Sequence, residues 1–258
     1  MRRNNFLFIL LLTSSISLSS CNKKIGKAYQ FPKEYNEEDL RLVSEEDYIV
    51  DFSKGDSDRF TVANGYSNSP HGGPFEKCIW SRNSVSIENG LLNLSVQEKD
   101  GKYYGAEYRS KRNEFSYGYY ATKMKPAKCS GVISSFFTYT NYPWDEIDIE
   151  FIGSDTTSVQ FNHFYDGESG HGYVYRLGFD ASLDFHEYGF DWQPNSLTYY
   201  IDGFKVYETN IEIPTHNQQI MMNCWNCYGM DNWSGTFDPS KLPVHAEYKF
   251  IAYIPSNN

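Results

Sequence analysis

Between Trp144 and Phe151 the chain reads W-D-E-I-D-I-E-F, so that Glu146, Asp148 and Glu150 alternate with Ile147, Ile149 and Phe151. A helix would scatter these side chains around its axis. A β-strand sorts them into two faces, because successive side chains point to opposite sides. The apolar face must then lie on a core, while the other carries carboxylates alone. Three like charges along one strand repel one another, and a merely soluble face would interleave lysines. The segment predicts a half-buried strand with a built acidic site on its open face.

The rest of the chain repeats this habit. Alternating segments at Leu91 to Val96, Tyr103 to Arg109, Tyr117 to Met124, Gly131 to Tyr139, Thr198 to Ile201 and Phe204 to Thr209 are separated by turn signals such as Asn89-Gly90 and Asp202-Gly203. No stretch sustains a helical period, and no internal repeat is present. With 258 residues, enough for one sizeable core, the expectation is an all-β fold. It is a β-jelly-roll sandwich of two antiparallel sheets with a concave substrate cleft. The N-terminus reads as a targeting segment: Arg2 and Arg3 precede a short apolar run from Phe6 to Leu12. The targeting segment ends in Leu18-Ser19-Ser20-Cys21, which resembles a bacterial lipobox and implies lipidation of Cys21. The expected organisation is a lipoprotein signal peptide over 1–20, a charged tether over 21–47 and the jelly-roll domain over 48–258. A membrane-anchored lipoprotein at the outer membrane or cell surface follows, touching the bilayer only through its lipid, and a monomer.

A net charge of −10 excludes a phosphate-backbone partner, since nucleic-acid binding rests on neutralising phosphates with Lys and Arg. Aromatic residues reach 17%, and flat rings without a basic groove suit a neutral ligand such as a carbohydrate. Other strands could build its site. Glu107 and Arg109 share one face; Gln160, Asn162 and Phe164 share another, with Phe161 opposite; Asn223 and Trp225 share a third. Side by side, these faces would offer the planar hydrogen-bonding groups and rings that a sugar chain requires. Crowded carboxylates push one pKa upward, and glycoside hydrolysis needs one protonated and one ionised carboxyl. Asp148, between the glutamates, is expected to raise the acid's pKa. Residues four apart on a flat strand lie ~13 Å apart at Cα. Strand curvature and side-chain length must therefore narrow the gap to the roughly 5–5.5 Å of retaining enzymes. Cys224-Trp225-Asn226-Cys227 is formally C-x-x-C, but Met221-Met222-Asn223 before it reads as strand, so structural thiols are expected. Alternate positions on a strand do not converge on one ion, and no histidine accompanies them, so no metal centre is expected.

Together with Tyr66-Ser67-Asn68, Ala106-Glu107-Tyr108-Arg109-Ser110, Lys123 to Ala127, Ser134 to Thr140 and Asp191-Trp192-Gln193-Pro194, the acidic strand resembles the bacterial lichenases. These are the endo-β-1,3-1,4-glucanases of glycoside hydrolase family 16. The likeness runs from about Phe60 to Tyr253. It implies a jelly roll and a retaining double displacement, with Glu146 as nucleophile, Glu150 as general acid/base and Asp148 assisting. It also implies that Tyr66, Asn68, Glu107, Arg109, Phe137, Trp144, Gln160, Asn162, Asn223, Trp225 and Trp233 line a glucan cleft.

The regular E-x-D-x-E spacing favours mixed-linkage or xyloglucan-type enzymes over the laminarinase form, which carries one more residue on a bulged strand. The alternatives are a xyloglucan or β-1,3-glucan hydrolase of the same family, or a non-catalytic glycan-binding lipoprotein. Three positions depart from the family pattern. Phe164 replaces a cleft tyrosine, and Gly105 replaces one half of a disulfide, leaving Cys78 without that partner. Lys249 stands where an aspartate often ligates structural calcium, so no cofactor is expected. A short connection between Tyr139 and Trp144 should open one end of the cleft.

Overall fold

The computed structural model describes residues 40–66 and 78–256. Among them sixteen strands follow in chain order. The first eight are β1 (Tyr48–Asp51), β2 (Phe60–Val62), β3 (Cys78–Trp80), β4 (Val85–Glu88), β5 (Leu91–Lys99), β6 (Lys102–Ser110), β7 (Gly118–Lys125) and β8 (Val132–Asn141). The second eight are β9 (Trp144–Ile152), β10 (Ser158–Phe164), β11 (Tyr173–Arg176), β12 (His186–Gln193), β13 (Ser196–Ile201), β14 (Phe204–Thr209), β15 (Gln219–Asn226) and β16 (Val244–Pro255). The one α-helix described is a single turn, Asp231–Ser234.

Two sheets form the sandwich. The first runs β11-β10-β9-β8-β15-β6 with β2 beside β6. The second runs β14-β13-β12-β7-β16-β5, with β4 beside β5 and β1 beside β16. The sheets meet at one corner, where β5 pairs β6 and β3 runs parallel to β6. Rings fill the space between them: Phe151 meets Tyr188 at 4.9 Å, Phe136 meets Phe190 at 6.0 Å, and Phe161 stacks on Tyr199 at 4.3 Å. Offset and edge-on pairs of this kind add to the burial of large apolar area. The expected all-β sandwich of two antiparallel sheets is what forms. Several strands outrun the expected segments: β5 reaches Lys99 and β8 reaches Asn141, because backbone pairing continues where the apolar alternation has already given way to polar residues.

The chain lies on the sandwich before the boundary expected at residue 48. Leu40 bridges to Phe204, and Arg41 N–H donates to Gly203 O at 2.9 Å. The Arg41 guanidinium covers the Tyr119 ring at 5.0 Å and reaches Asp191 at 3.8 Å. These contacts fall on the outer face of the second sheet, where Tyr119, Ala121, Phe250 and Ala252 form their own apolar cluster beneath Val43 and Tyr48. The segment's charged composition concealed this docking, since an arginine laid flat on a ring buries area that its charge does not advertise. The signal peptide, Cys21 and the tether up to residue 39 lie outside the described residues. No helix among the described residues is long and apolar enough to cross a membrane.

Candidate active site

β9 is fixed from its apolar side. Ile147, Ile149 and Phe151 are fully buried between the sheets, which turns Glu146, Asp148 and Glu150 onto the open face of the first sheet. Pairing with β8 and with β10 proceeds without a register shift, so the strand carries no bulge. Register then assembles rows across the sheet. Gln160, Glu150, Ser135, Asn223 and Glu107 form one row; Asn162, Asp148, Phe137, Met221 and Arg109 form the next; Phe164, Glu146 and Tyr139 begin a third.

Above these rows lies a trough of about 650 Å³. Its lining includes Glu146, Asp148, Glu150, Tyr66, Glu107, Arg109, Phe137, Trp144, Gln160, Asn162, Asn223, Trp225 and Trp233, so the structure brings all these sequence-derived candidates together. Asn68 lies outside the described residues. The trough is also lined by Trp80, Ser135, Tyr139, Met221 and Met230, which the sequence reading missed, and by Phe164. Three of the missed residues had a readable signal. Ser135 and Tyr139 stand two residues either side of Phe137, and Met221 stands two before Asn223, so strand alternation places each on the same face. Trp80 and Met230 come from segments without alternation.

The three acids sit in a graded environment. Trp144 Nε1–H donates to Glu146 Oε2 at 2.6 Å, and the Trp144 ring stacks on Phe164 at 4.5 Å. Burial raises Glu146 to about 7, while its bonds from Trp144 and Asp148 pull downward. Glu150 rises to about 8, first through burial and then through the negative Glu146. Asp148, 4% exposed, is raised well above its ordinary value by burial and then by both glutamates. It hydrogen-bonds to Glu146, and Asn162 Nδ2 donates to it at 3.3 Å. Burial is thus the first cause of the raised Glu150 pKa, and the negative Glu146 the second. Gln160 Nε2 donates to Glu150 Oε2 at 3.4 Å, and Gln160 Oε1 accepts from Trp233 Nε1–H at 3.1 Å. Farther along, Glu107 lies buried 3.2 Å from Arg109, and burial raises it to about 7 against that guanidinium's pull.

Asp145 anchors the start of β9 from behind. Its carboxylate accepts from Asp166 N–H at 2.8 Å, Thr215 N–H at 2.9 Å and His216 N–H at 3.1 Å. Burial pushes this carboxyl up, but the backbone donors and His216 outweigh it and hold the pKa below its ordinary value. Gly167 N–H closes the same corner on Trp144 O at 2.8 Å. Asn141 and Trp144 pair across a two-residue turn, Tyr142-Pro143, so the connection is short, and Tyr142 stands 89% exposed at its tip.

The remaining departures also have structural consequences. Cys78, Cys129, Cys224 and Cys227 are all buried, with no disulfide among them. Burial lifts the Cys78 and Cys224 thiols to about 12, which makes them poor nucleophiles. A Cβ at Gly105 would lie 2.5 Å from Cys78 Sγ and 2.8 Å from Cys224 O, so the glycine makes room for the thiol. Lys249 Nζ sits 4.5 Å from the centre of the Phe185 ring, which Lys125 Nζ approaches at 5.2 Å.

Comparison with known proteins converges on one family. The family model described as "Glycosyl hydrolases family 16" matches residues 74–241. A beta-glucanase of Acetivibrio thermocellus is 44% identical over 216 residues, which cover 81% of this chain and 63% of that protein. A beta-glucanase of Paenibacillus macerans is 47% identical over 197 residues, 74% of this chain and 81% of its own length. Among solved structures, a prokaryotic beta-1,3-1,4-glucanase (lichenase) derived from a mouse hindgut metagenome is 45% identical. It covers 80% of this chain and 98% of its own, with a TM-score of 0.74. With its acids aligned on an unbulged strand and the family match spanning most of the sandwich, the chain belongs to glycosyl hydrolases family 16.

Proposed function

We propose that the protein is an endo-acting, retaining β-glucanase that hydrolyses mixed-linkage β-1,3-1,4-glucan. The observation that carries this reading is the unbulged β9, which sets three carboxyls side by side on the floor of the trough. Burial raises all three carboxyls, Glu146 to about 7 and Glu150 to about 8, and Asp148 hydrogen-bonds to Glu146. Ionised Glu146 attacks the anomeric carbon while Glu150 gives its proton to the departing glycosidic oxygen. Glu150, now a carboxylate, takes a proton from water, whose oxygen displaces Glu146 and restores both groups. The bonds from Trp144 and Asp148 favour the ionised nucleophile against its burial and stabilise it as a leaving group.

The mixed-linkage preference is supported by the regular strand and by likeness to proteins described as beta-glucanase and lichenase. The reading includes no structural cation near Lys249, because two ammonium groups around Phe185 would repel one. It includes a lipid anchor at Cys21 that holds the enzyme at a bacterial membrane and requires no oligomer. Barley mixed-linkage glucan, laminarin and xyloglucan, incubated separately with the protein, should give short oligosaccharides from the first alone. Proton spectra of the first products should show the β-anomer. Retention of glucan without release of sugar would assign a binding protein instead.

A further inference from the structure

Behind the start of β9, the carboxylate of Asp145 is shared by two connections far apart in sequence. Asp166 N–H, just after β10, donates to one oxygen, and Thr215 and His216 N–H, before β15, donate to the other. A pair of histidines joins these connections to each other. His163 lies on the face of β10 opposite Asn162, 1% exposed, and its ring stacks on that of His171 at 4.1 Å and 18°. His163 Nε2–H donates to Ile211 O at 2.9 Å, since a carbonyl can only accept. His171 Nδ1 lies 3.0 Å from His163 O, and its Nε2 lies 2.7 Å from Glu212 Oε2. Both partners are acceptors, so the two contacts close together only when each nitrogen of the His171 ring carries a proton. Burial, and then the neighbouring His171, pushes the His163 ring down to about 4, which leaves a neutral ring for His171 to lie on.

Glu212 takes part with a left-handed backbone, φ +49°, which a residue other than glycine keeps only where its surroundings hold it. The His171 side chain is 11% exposed, so its contact with Glu212 is largely shielded from water on one side. From this joint a short path leads to the acids. Gly167 N–H holds Trp144 O at 2.8 Å, and the Trp144 indole donates to Glu146. Phe164, which follows His163, is the ring on which that indole stacks. Neither histidine lines the trough, and nor does Glu212.

We propose that His163, His171 and Glu212 form a clasp that positions the nucleophile Glu146, acting through Asp145 and Trp144 without touching substrate. The proposal rests on the glucanase reading and adds to it the part of the fold that aims the attacking carboxylate. All three are positioning residues, so opening the clasp impairs attack and leaves proton donation by Glu150 intact. Aryl β-glycosides of a short β-glucan oligomer separate these steps, because dinitrophenolate departs without a proton whereas phenolate needs one. Glu212→Ala removes a half-exposed carboxylate and should slow the first turnover of both glycosides about tenfold, with half-saturation unchanged. Glu212→Gln keeps an oxygen for His171 Nε2–H and should recover most of that loss. Leu92→Ala hollows the core at β5; it should lower Tm at least as far as Glu212→Ala and leave both rates unchanged. A loss confined to the phenyl glycoside, a Glu212→Gln protein as slow as Glu212→Ala, or an equal loss in Leu92→Ala overturns the clasp. A native protein that cleaves neither glycoside and no glucan defeats the glucanase reading and the clasp with it. A native protein that cleaves both glycosides, matched in rate by Glu212→Ala, defeats the clasp alone.

Discussion

Asp148 lies between two glutamates, 4% exposed, and burial, then both negative neighbours, raise its pKa well above the ordinary value. Its contact with Glu146 is a hydrogen bond that favours the ionised glutamate. Asp148→Asn retains a donor of the same shape and should lower kcat only modestly, about tenfold or less. Asp148→Ala removes the donor, so Glu146 loses a bond that favours its ionised form and its pKa climbs. The acidic limb of the kcat/KM profile should then move to higher pH, while the alkaline limb stays where Glu150 puts it. A displaced alkaline limb with a fixed acidic limb would show that Asp148 acts on Glu150 after all. Glu146→Gln should abolish turnover by at least about 10³-fold yet keep glucan binding, as measured by affinity electrophoresis. Loss of binding together with turnover would indicate a role in holding substrate. Phe164 cannot hydrogen-bond Glu146, and Trp144, stacked on that ring, supplies the indole donor.

At the scale of elements, β9 is held by its buried apolar face and by the anchor at Asp145. Asp145→Ala leaves several buried N–H groups without an acceptor and should cost about 2–3 kcal/mol, read as a lowered Tm. It should also reduce kcat, because Trp144 and Glu146 flank the lost anchor; an unchanged kcat would separate the anchor from the site. Gly105 is a second pivot. Gly105→Ala would drive a methyl into Cys78 Sγ and Cys224 O, and should cost about 1–3 kcal/mol by overpacking, visible in chemical denaturation. The alternation of Glu146, Asp148 and Glu150 with Ile147, Ile149 and Phe151 made β9 legible from sequence, because two-sided burial leaves a period of two. The same period revealed Glu107 with Arg109, and Gln160 with Asn162. Asp145 was hidden, since its value comes from Asp166 and Thr215, distant in sequence and brought near only by the fold. Trp80 was hidden for a similar reason: a three-residue parallel strand at the corner of two sheets has no pattern of its own.

The whole molecule carries more acid than base, and a few of its carboxyls are buried. Glu146 and Glu107 are raised to about 7, Glu150 to about 8, and Glu187 on the opposite sheet to about 7, mainly by burial. In the unfolded chain these groups lose their protons near 4.5, so between that value and about 8 the folded state binds more protons. Stability therefore falls as pH rises through that window. Asp145 and Asp180, held below their ordinary 3.8, contribute stability that is lost as pH drops further. Tm should be highest near pH 5 and decline toward pH 8, and Glu187→Gln should flatten that decline without changing kcat. A Tm that rises from pH 5 to 8 would contradict the burial of these carboxyls. The placement of Arg41 has a different consequence. It fastens the incoming chain to the sheet that faces away from the acids, beside Gly203 and Tyr119. Leu40 and Arg41 thus stand behind the acids, and a long, stiff polymer can settle into the front without striking them.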